Sequence, residues 1–483
     1  MQFNTYIFVL AFLPITIVGY FLCGKIQGQA LQRIFLILTS LLFYGFGGIE
    51  AFMWFIFSSI FNYLTMIVLK KKVGRKPIIL WGNIFGNIAL LFYFKYLNFV
   101  LVSTNTFFHT SFHCKNLILP LGISFFTFQQ ISYVLDSYHG KNVYQSFGDY
   151  MLYITYFPKI LMGPIVKPQD LLAQFYDPAN QKPNTENLAL GIQKFNIGLF
   201  KKVLLADTFS KAVTWGFDNV QTASAIDLVI VMLAYTFQIY FDFSGYSDMA
   251  IGISQMLNIV LPQNFDSPYK AYSIRDFWKR WHMSLTGFLT EYIYIPLGGS
   301  KKGKLHTYLN TMIVFLISGI WHGANWTFIL WGILHGALSV FDRITEKHRN
   351  QIHSAMQWMA TFAAINVLWL LFRADNIYQW FTMLVHMVML QNTTISNDLI
   401  AAFMQPELVF FLKLAKLEFL CDKIRGFPML LYIVGALVMC LCFDNSNQKE
   451  YKNSSLSAVL SAALFVGCLT CFGGEAVFLY NNF

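Results

Sequence analysis

Charge is what this 483-residue chain has least of. Its 34 Lys and Arg and 24 Asp and Glu make up 12% of the residues, about half the share usual in soluble domains. So little charge cannot cover a water-soluble surface, and an apolar content of 56% excludes disorder. Cysteine is sparse and odd in number at seven. Cys468 and Cys471 have CxxC spacing, but no second ligand pair follows, so the cysteines read as core or lipid-facing and not as a metal or redox site. GxGxxG, Walker, HExxH and GxSxG patterns are all missing, which removes nucleotide hydrolysis, metalloprotease and serine-hydrolase chemistry from consideration. No metal site is expected. The chain shows no internal repeat, composition shift or long polar linker, so we read residues 1–483 as one integral domain. The N-terminus has no basic n-region and no small-residue cleavage site; the run from about Tyr6 to Leu22 reads as a retained spanning helix.

Aromatic residues are abundant, with 50 Phe, 25 Tyr and 11 Trp, and the mean hydropathy is +0.51. The fold class is an all-α polytopic integral membrane protein. A span needs roughly 20 apolar residues, and about 10 to 13 membrane-embedded helices are expected. Candidate spans begin near Tyr6, Phe35, Ala51, Pro77, Leu117, Ile226, Leu309, Thr327, Ala355, Pro406, Met429 and Ser455. The net charge of +10 fits basic loops that set topology and meet anionic lipid, not nucleic acid. Lys25 and Arg33 follow the first span, and Lys70, Lys71, Lys72, Arg75 and Lys76 follow the third. The positive-inside rule therefore puts the N-terminus outside and the loops with Arg343, Lys347 and Arg349, and with Lys423 and Arg425, in the cytoplasm.

Two segments do not read as simple spans. Tyr156-Phe157-Pro158-Lys159 through Gly163-Pro164-Ile165 interrupts an apolar stretch with prolines and glycine, and such backbone must be buried in protein or line a cavity. The stretch from Leu188 to Asp207, with Lys194, Lys201 and Lys202, reads as a helix lying along the interface.

Three constellations could carry chemistry. In Ser318-Gly319-Ile320-Trp321-His322-Gly323-Ala324-Asn325-Trp326, His322 falls at membrane depth or at a helix end, where an ionisable group usually faces a cavity or a partner. Gly323 and Ala324 would let a substrate approach. A neutral imidazole there can accept a proton from a hydroxyl; the alternative is a histidine that only bonds a neighbouring helix. In Arg275-Asp276-Phe277-Trp278-Lys279-Arg280-Trp281-His282-Met283-Ser284-Leu285, one helix would put Trp278, Trp281, His282 and Leu285 on one face and Arg275 and Lys279 on another. That is either an interfacial anchor or the inner mouth of a substrate path whose cations greet an anionic donor. The third, Gln238 to Asp248, sets Asp242 and Asp248 in an apolar stretch. Two buried carboxylates need partners, and we read them as structural pairs with Arg or Tyr, or as groups orienting a histidine. His335 and His386 read as structural, Arg373 as snorkelling or paired with Asp375, and His109, His113, His139 and His306 as loop residues.

At these residues the chain resembles the membrane-bound O-acyltransferases, in particular the bacterial alginate O-acetyltransferase branch, with peptidoglycan O-acetyltransferases and the teichoic acid D-alanyl transfer protein as relatives. The resemblance covers about residues 122–375. Phe157-Pro158 with Gly163-Pro164-Ile165 is similar to the family's FP…GPI element. Tyr240 through Ala250 is similar to its YFDFSGYSDMA segment. Phe277-Trp278 through Leu285 resembles FWxRWHxSL, and Tyr294 through Gly299 continues it. Trp321-His322-Gly323-Ala324 resembles the WHGA motif that carries the family's histidine, and Phe372-Arg373-Ala374 matches too. Thr290-Glu291-Tyr292 departs from the branch's Arg-Asp-Tyr, so no role is carried over to that missing arginine.

The resemblance implies helices around a central tunnel and an acyl, in particular acetyl, transfer from a cytoplasmic thioester to an extracytoplasmic hydroxyl in cell-envelope or exopolysaccharide O-acylation. His322 is then the general base, and His282 lines the donor path or assists. Trp321, Asn325, Trp278, Trp281, Lys279 and Arg280 are the candidate substrate-binding positions, and Asp242 and Asp248 hold the tunnel helices. No bound cofactor is implied. The donor would be acetyl-CoA or an acyl-carrier thioester, the acceptor a polysaccharide, and the partner an extracytoplasmic acyltransferase or acyl-relay protein, at the inner (plasma) membrane. The readings from other classes are a transporter or flippase, which should show repeats, and a non-catalytic scaffold for a periplasmic acyltransferase.

Overall fold

The computed structural model describes residues 1–71, 76–390, 392–446 and 454–472. Lys72 and Arg75, named above as topology signals, lie outside them. Among the described residues the secondary structure is helical throughout. Six helices are long and apolar enough to cross a membrane: Phe8–Ile26, Ile49–Lys71, Lys76–Phe108, Ala225–Met256, Trp326–Ile344 and Ser354–Arg373. Four shorter apolar helices, Gln29–Gly45, Ile377–Met389, Phe427–Cys442 and Ser455–Leu469, add to them. The protein is a multi-pass membrane protein. Two expected spans are shorter than read: the helix at Pro406 ends at Leu414, and the one expected from Leu117 begins at Ile123. His306, expected in a loop, lies in the helix Lys304–His322.

The chain forms two compact units, residues 1–195 with 249–262, and residues 196–248 with 263–483. In the first unit, α1 (Leu13–Gln27) and α2 (Gln29–Gly45) form a hairpin, followed by α3 (Ile49–Lys71), α4 (Lys76–Leu91) and α5 (Ile123–Tyr138). Apolar packing alone does not hold helices together in lipid, and polar side chains act as glue. Here Asn62 of α3 donates to Asn87 Oδ1 of α4 at 3.0 Å and to Gln130 Oε1 of α5 at 3.1 Å. Asn83 and Asn87 donate back to Asn62 Oδ1. The proline-interrupted segment behaves as its sequence requires. Tyr156, Phe157, Lys159 and Ile160 are fully buried, the Phe157 amide donates to Ser40 Oγ at 3.2 Å, and Lys159 donates to Gln129 Oε1 beneath the Tyr153 ring. Gly163 is needed there because a Cβ would lie 2.3 Å from Lys159 Cα.

The helix read from Leu188 to Asp207 is longer than expected. In the second unit, which takes up α6 (Thr185–Phe200) from Asn196 onward, the helix continues through a π-turn at Lys201–Ala206 into α7 (Asp207–Asp218). The extra residue of a π-turn shifts the side chains around the axis. Two consecutive lysines thereby reach acids six positions apart on α8 (Ala225–Met256): Lys201 Nζ to Asp248 Oδ2 at 2.6 Å and Lys202 Nζ to Asp242 Oδ1 at 2.7 Å. Lys202 also meets Asp207 at 2.8 Å. Ser446 Oγ donates to Asp248 as well. Gly245 makes the approach possible, since a Cβ there would lie 2.8 Å from the Gly198 carbonyl oxygen. Asp242 and Asp248 thus pair with lysines, a partner type the sequence reading did not name.

Candidate active site

The segment read as one amphipathic helix is two. α9 (Ile274–Arg280) is capped by Ser273, and α10 (Met283–Leu289) follows after His282. Trp281 is extended and His282 is left-handed, at φ 44°, a conformation that costs a non-glycine residue about 1–3 kcal/mol. Asn264 holds the break in place. Its carbonyl accepts from the Met283 amide at 2.9 Å, and its side chain accepts from Ser284 Oγ at 2.5 Å. Nothing in the 275–285 spacing announces this, because the anchor comes from eighteen or more residues upstream.

The break sends each predicted residue to its own environment. Trp281 is core, stacked on Phe277 at 5.5 Å and against Trp369 at 4.8 Å. Arg280 turns away to Asp276 (2.9 Å) and Asp266 (3.8 Å). Trp278 donates its indole N–H to His335 Nδ1 at 3.2 Å. His282 is buried edge-to-face on Phe243, at 4.6 Å between ring centres. Neither of its ring nitrogens has a hydrogen-bond partner among the described residues.

His282 lies outside the long spans. Burial alone pushes its pKa down to about 3 from 6.5, because the charged ring would lose its hydration. Stability held by the neutral ring is thus present above about pH 6.5 and is lost as pH falls toward 3. An acid limb of activity between pH 5 and 7 is accordingly expected to keep its apparent pKa in His282→Gln. The pH dependence of turnover checks this, and a limb that disappears in the variant assigns it to His282 instead.

α11 (Lys304–His322) and α12 (Trp326–Ile344) form a tight hairpin. A Cβ at Gly319 would sit 2.4 Å from the Phe328 carbonyl oxygen, and one at Gly332 would sit 2.5 Å from that of Phe315. Glycines at both positions let the backbones nearly touch. His322 closes α11, and Gly323 continues in extended conformation. Asn325 caps α12 by accepting from the Thr327 amide at 3.1 Å, and its Nδ2 ties the turn to the Asp375 carbonyl at 2.8 Å. Its place in the structure is that of a turn-holding residue. Arg373 pairs with Asp375 at 3.5 Å, as one of the two sequence readings allowed.

The His322 imidazole is buried among three rings. Trp321 stands 5.0 Å away, Trp331 5.3 Å and Phe372 5.2 Å, all steeply inclined to it. Trp321 is also 6.4 Å from His282, so both candidate histidines adjoin the same indole. A Cβ at Gly323 would collide with Phe328 at 2.1 Å, and Phe328 packs on Phe372 at 4.8 Å. The WHGA glycine thereby admits the ring that backs the box.

A cavity of about 260 Å³ opens in the same unit, lined among others by Arg275, Lys279, Arg343, Trp278, Ser318 and Ser339. Ser318 is one helical turn before His322. Arg275 is engaged by Glu346 at 3.0 Å. Of these, the sequence marks Lys279 as a site cation, but reads Arg343 only as a loop cation and gives Ser318 and Ser339 no role. The two serines are polar positions inside apolar helices, and that is the only trace they leave. Nor does the sequence mark Trp331 and Phe372 as neighbours of His322, because large aromatics in spans read as lipid-facing or core.

Residues 137–388 match the membrane-bound O-acyltransferase family, and the chain belongs to that family of acyltransferases. It is an enzyme of this class. It is 38% identical to a peptidoglycan O-acetyltransferase of Helicobacter pylori over 100% of this chain and 98% of that protein. It is 36% identical to a probable alginate O-acetylase of Pseudomonas putida over 78% of each. A teichoic acid D-alanyltransferase of Bacillus subtilis is 27% identical over 48% of this chain and 61% of its own length.

Proposed function

We propose that this enzyme moves an acetyl group from a cytoplasmic thioester across the plasma membrane to a glycan hydroxyl of the cell envelope, with peptidoglycan as the acceptor polymer. The full-length likeness to a peptidoglycan O-acetyltransferase favours that polymer over an alginate-like exopolysaccharide. The observation that carries the reading is the placement of His322 in a buried aromatic box, one helical turn from a serine of a cavity lined by three cations.

The two ends of the hairpin support a direction. α11 begins and α12 ends beside Lys301, Lys302, Lys304, Arg343, Lys347 and Arg349, which the positive-inside rule puts in the cytoplasm. His322 closes the 19-residue α11, about 28 Å away along the axis at 1.5 Å per residue. In this scheme Lys279 and Arg343 hold the anionic part of the donor, acetyl-CoA or an acyl-carrier thioester, and the acyl end runs inward past Ser318. His322 accepts the proton of the attacking hydroxyl. The apolar walls keep water from the thioester, and alignment supplies much of the remaining acceleration. The N-terminus is then extracytoplasmic, and an extracytoplasmic acyltransferase or relay protein takes the group onward.

Membranes given labelled acetyl-CoA test the reading. Transfer or release of label that depends on the protein supports it; substrate movement without covalent change supports a transporter, and silence a scaffold. In the same assay, Lys279→Gln with Arg343→Gln is expected to raise KM for the thioester roughly tenfold with kcat little changed, since each lost charge contact removes binding common to ground and transition states. An unchanged KM removes these cations from donor binding.

A further inference from the structure

We infer that the Trp331 indole N–H is the donor that stabilises the oxyanion of the acyl-transfer step, the group it takes being the carbonyl oxygen of an acyl thioester. This rests on the His322 reading above and adds the second half of the catalytic apparatus, which no motif in the sequence supplies.

Trp331 is fully buried, and its Nε1 has no hydrogen-bond partner among the described residues. Buried indole N–H groups normally find an acceptor. The surroundings of this one explain why the protein offers none. Phe372 at 5.3 Å and Trp369 at 6.0 Å carry no acceptor. His335, 4.5 Å away, has committed its acceptor nitrogen: Nδ1 takes the proton of Trp278 Nε1, which leaves Nε2 as the protonated nitrogen of the neutral ring. His335 therefore has no acceptor nitrogen left to offer Trp331. The His322 ring stands 5.3 Å from that of Trp331, at an interplanar angle of 84°. An N–H without an acceptor, on a buried ring packed against the candidate base, has the character of an oxyanion donor: fixed in place and acting where water does not compete.

The step balances without a further reactant. The acceptor oxygen bonds to the thioester carbonyl carbon while its proton passes to His322. The carbonyl π pair moves onto oxygen, where the indole N–H meets it. Collapse reforms the carbonyl and breaks the C–S bond, and the departing thiolate takes the proton back from His322. The products are an O-ester and a thiol.

The test replaces Trp331 with 3-benzothienylalanine, in which sulfur occupies the N–H position and the ring shape is kept, alongside Trp331→Phe. The expected result is a fall in kcat of about 10²–10³-fold, as for loss of one oxyanion donor, with KM for acetyl-CoA and the pH profile unchanged. Wild-type kcat in the benzothienyl variant overturns the proposal, as does a raised KM with kcat intact. If Trp331→Phe fails to accumulate, the isosteric variant decides alone. Failure of the underlying reading is seen separately, as wild-type turnover in His322→Ala.

Discussion

Replacing His322 with alanine is expected to lower acetyl transfer about 10²–10⁴-fold at equal membrane abundance, the usual worth of a positioned general base. The loss falls on kcat, because a proton acceptor acts as the hydroxyl becomes a nucleophile and contributes little to holding the donor. Label transferred per unit of protein in membranes measures it. Asparagine is expected to fail as well, since an amide fills the box without accepting a proton at neutral pH. The site gives this prediction its force: three aromatic rings about 5 Å from the imidazole exclude water that could replace the base. Turnover close to wild type would strip His322 of the role.

The second large effect is on folding. Lys202 is 1% exposed, and Asp242, which it meets at 2.7 Å, is 3% exposed at the side chain. Removing one member of such a pair leaves a buried charge poorly compensated, at a cost of about 3–5 kcal/mol. Lys202→Met is therefore expected to lose most of its folded protein and to unfold at lower temperature after extraction in detergent. Adding Asp242→Asn should restore part of the loss, because the uncompensated charge goes with it. Lys201→Met should cost less. Its side chain is 12% exposed, and Asp248 keeps the Ser446 hydroxyl. Equal losses in both single variants would contradict the burial argument.

These two predictions draw unequally on the sequence. His322 was legible because a histidine in an apolar run is costly and conspicuous, and because the WHGA segment resembles a known family. The acids at 242 and 248 were equally conspicuous, but their partners were not. Lys201 and Lys202 read as interfacial cations until the π-turn rotated them onto α8. Arg280 and Lys279 show the same limit. They are neighbours of like charge, yet one is bound by Asp276 and Asp266 and the other lines the cavity.

Composition and hydropathy by themselves determined that the chain is helical and spans a membrane, since lipid admits few ways of satisfying the backbone. Local order determined the motifs, the family they resemble and the choice of His322 as the candidate base. Tertiary structure alone decided that the 275–289 segment breaks at His282, that Asn264 holds the break, and that Trp331, Phe372 and Trp321 wall in His322. The physical reason is range. A helical period or a costly ionisable group is written within a few residues, whereas a hydrogen bond from Asn264 to Met283 or a ring contact from His322 to Phe372 exists only once distant stretches of chain have been packed together.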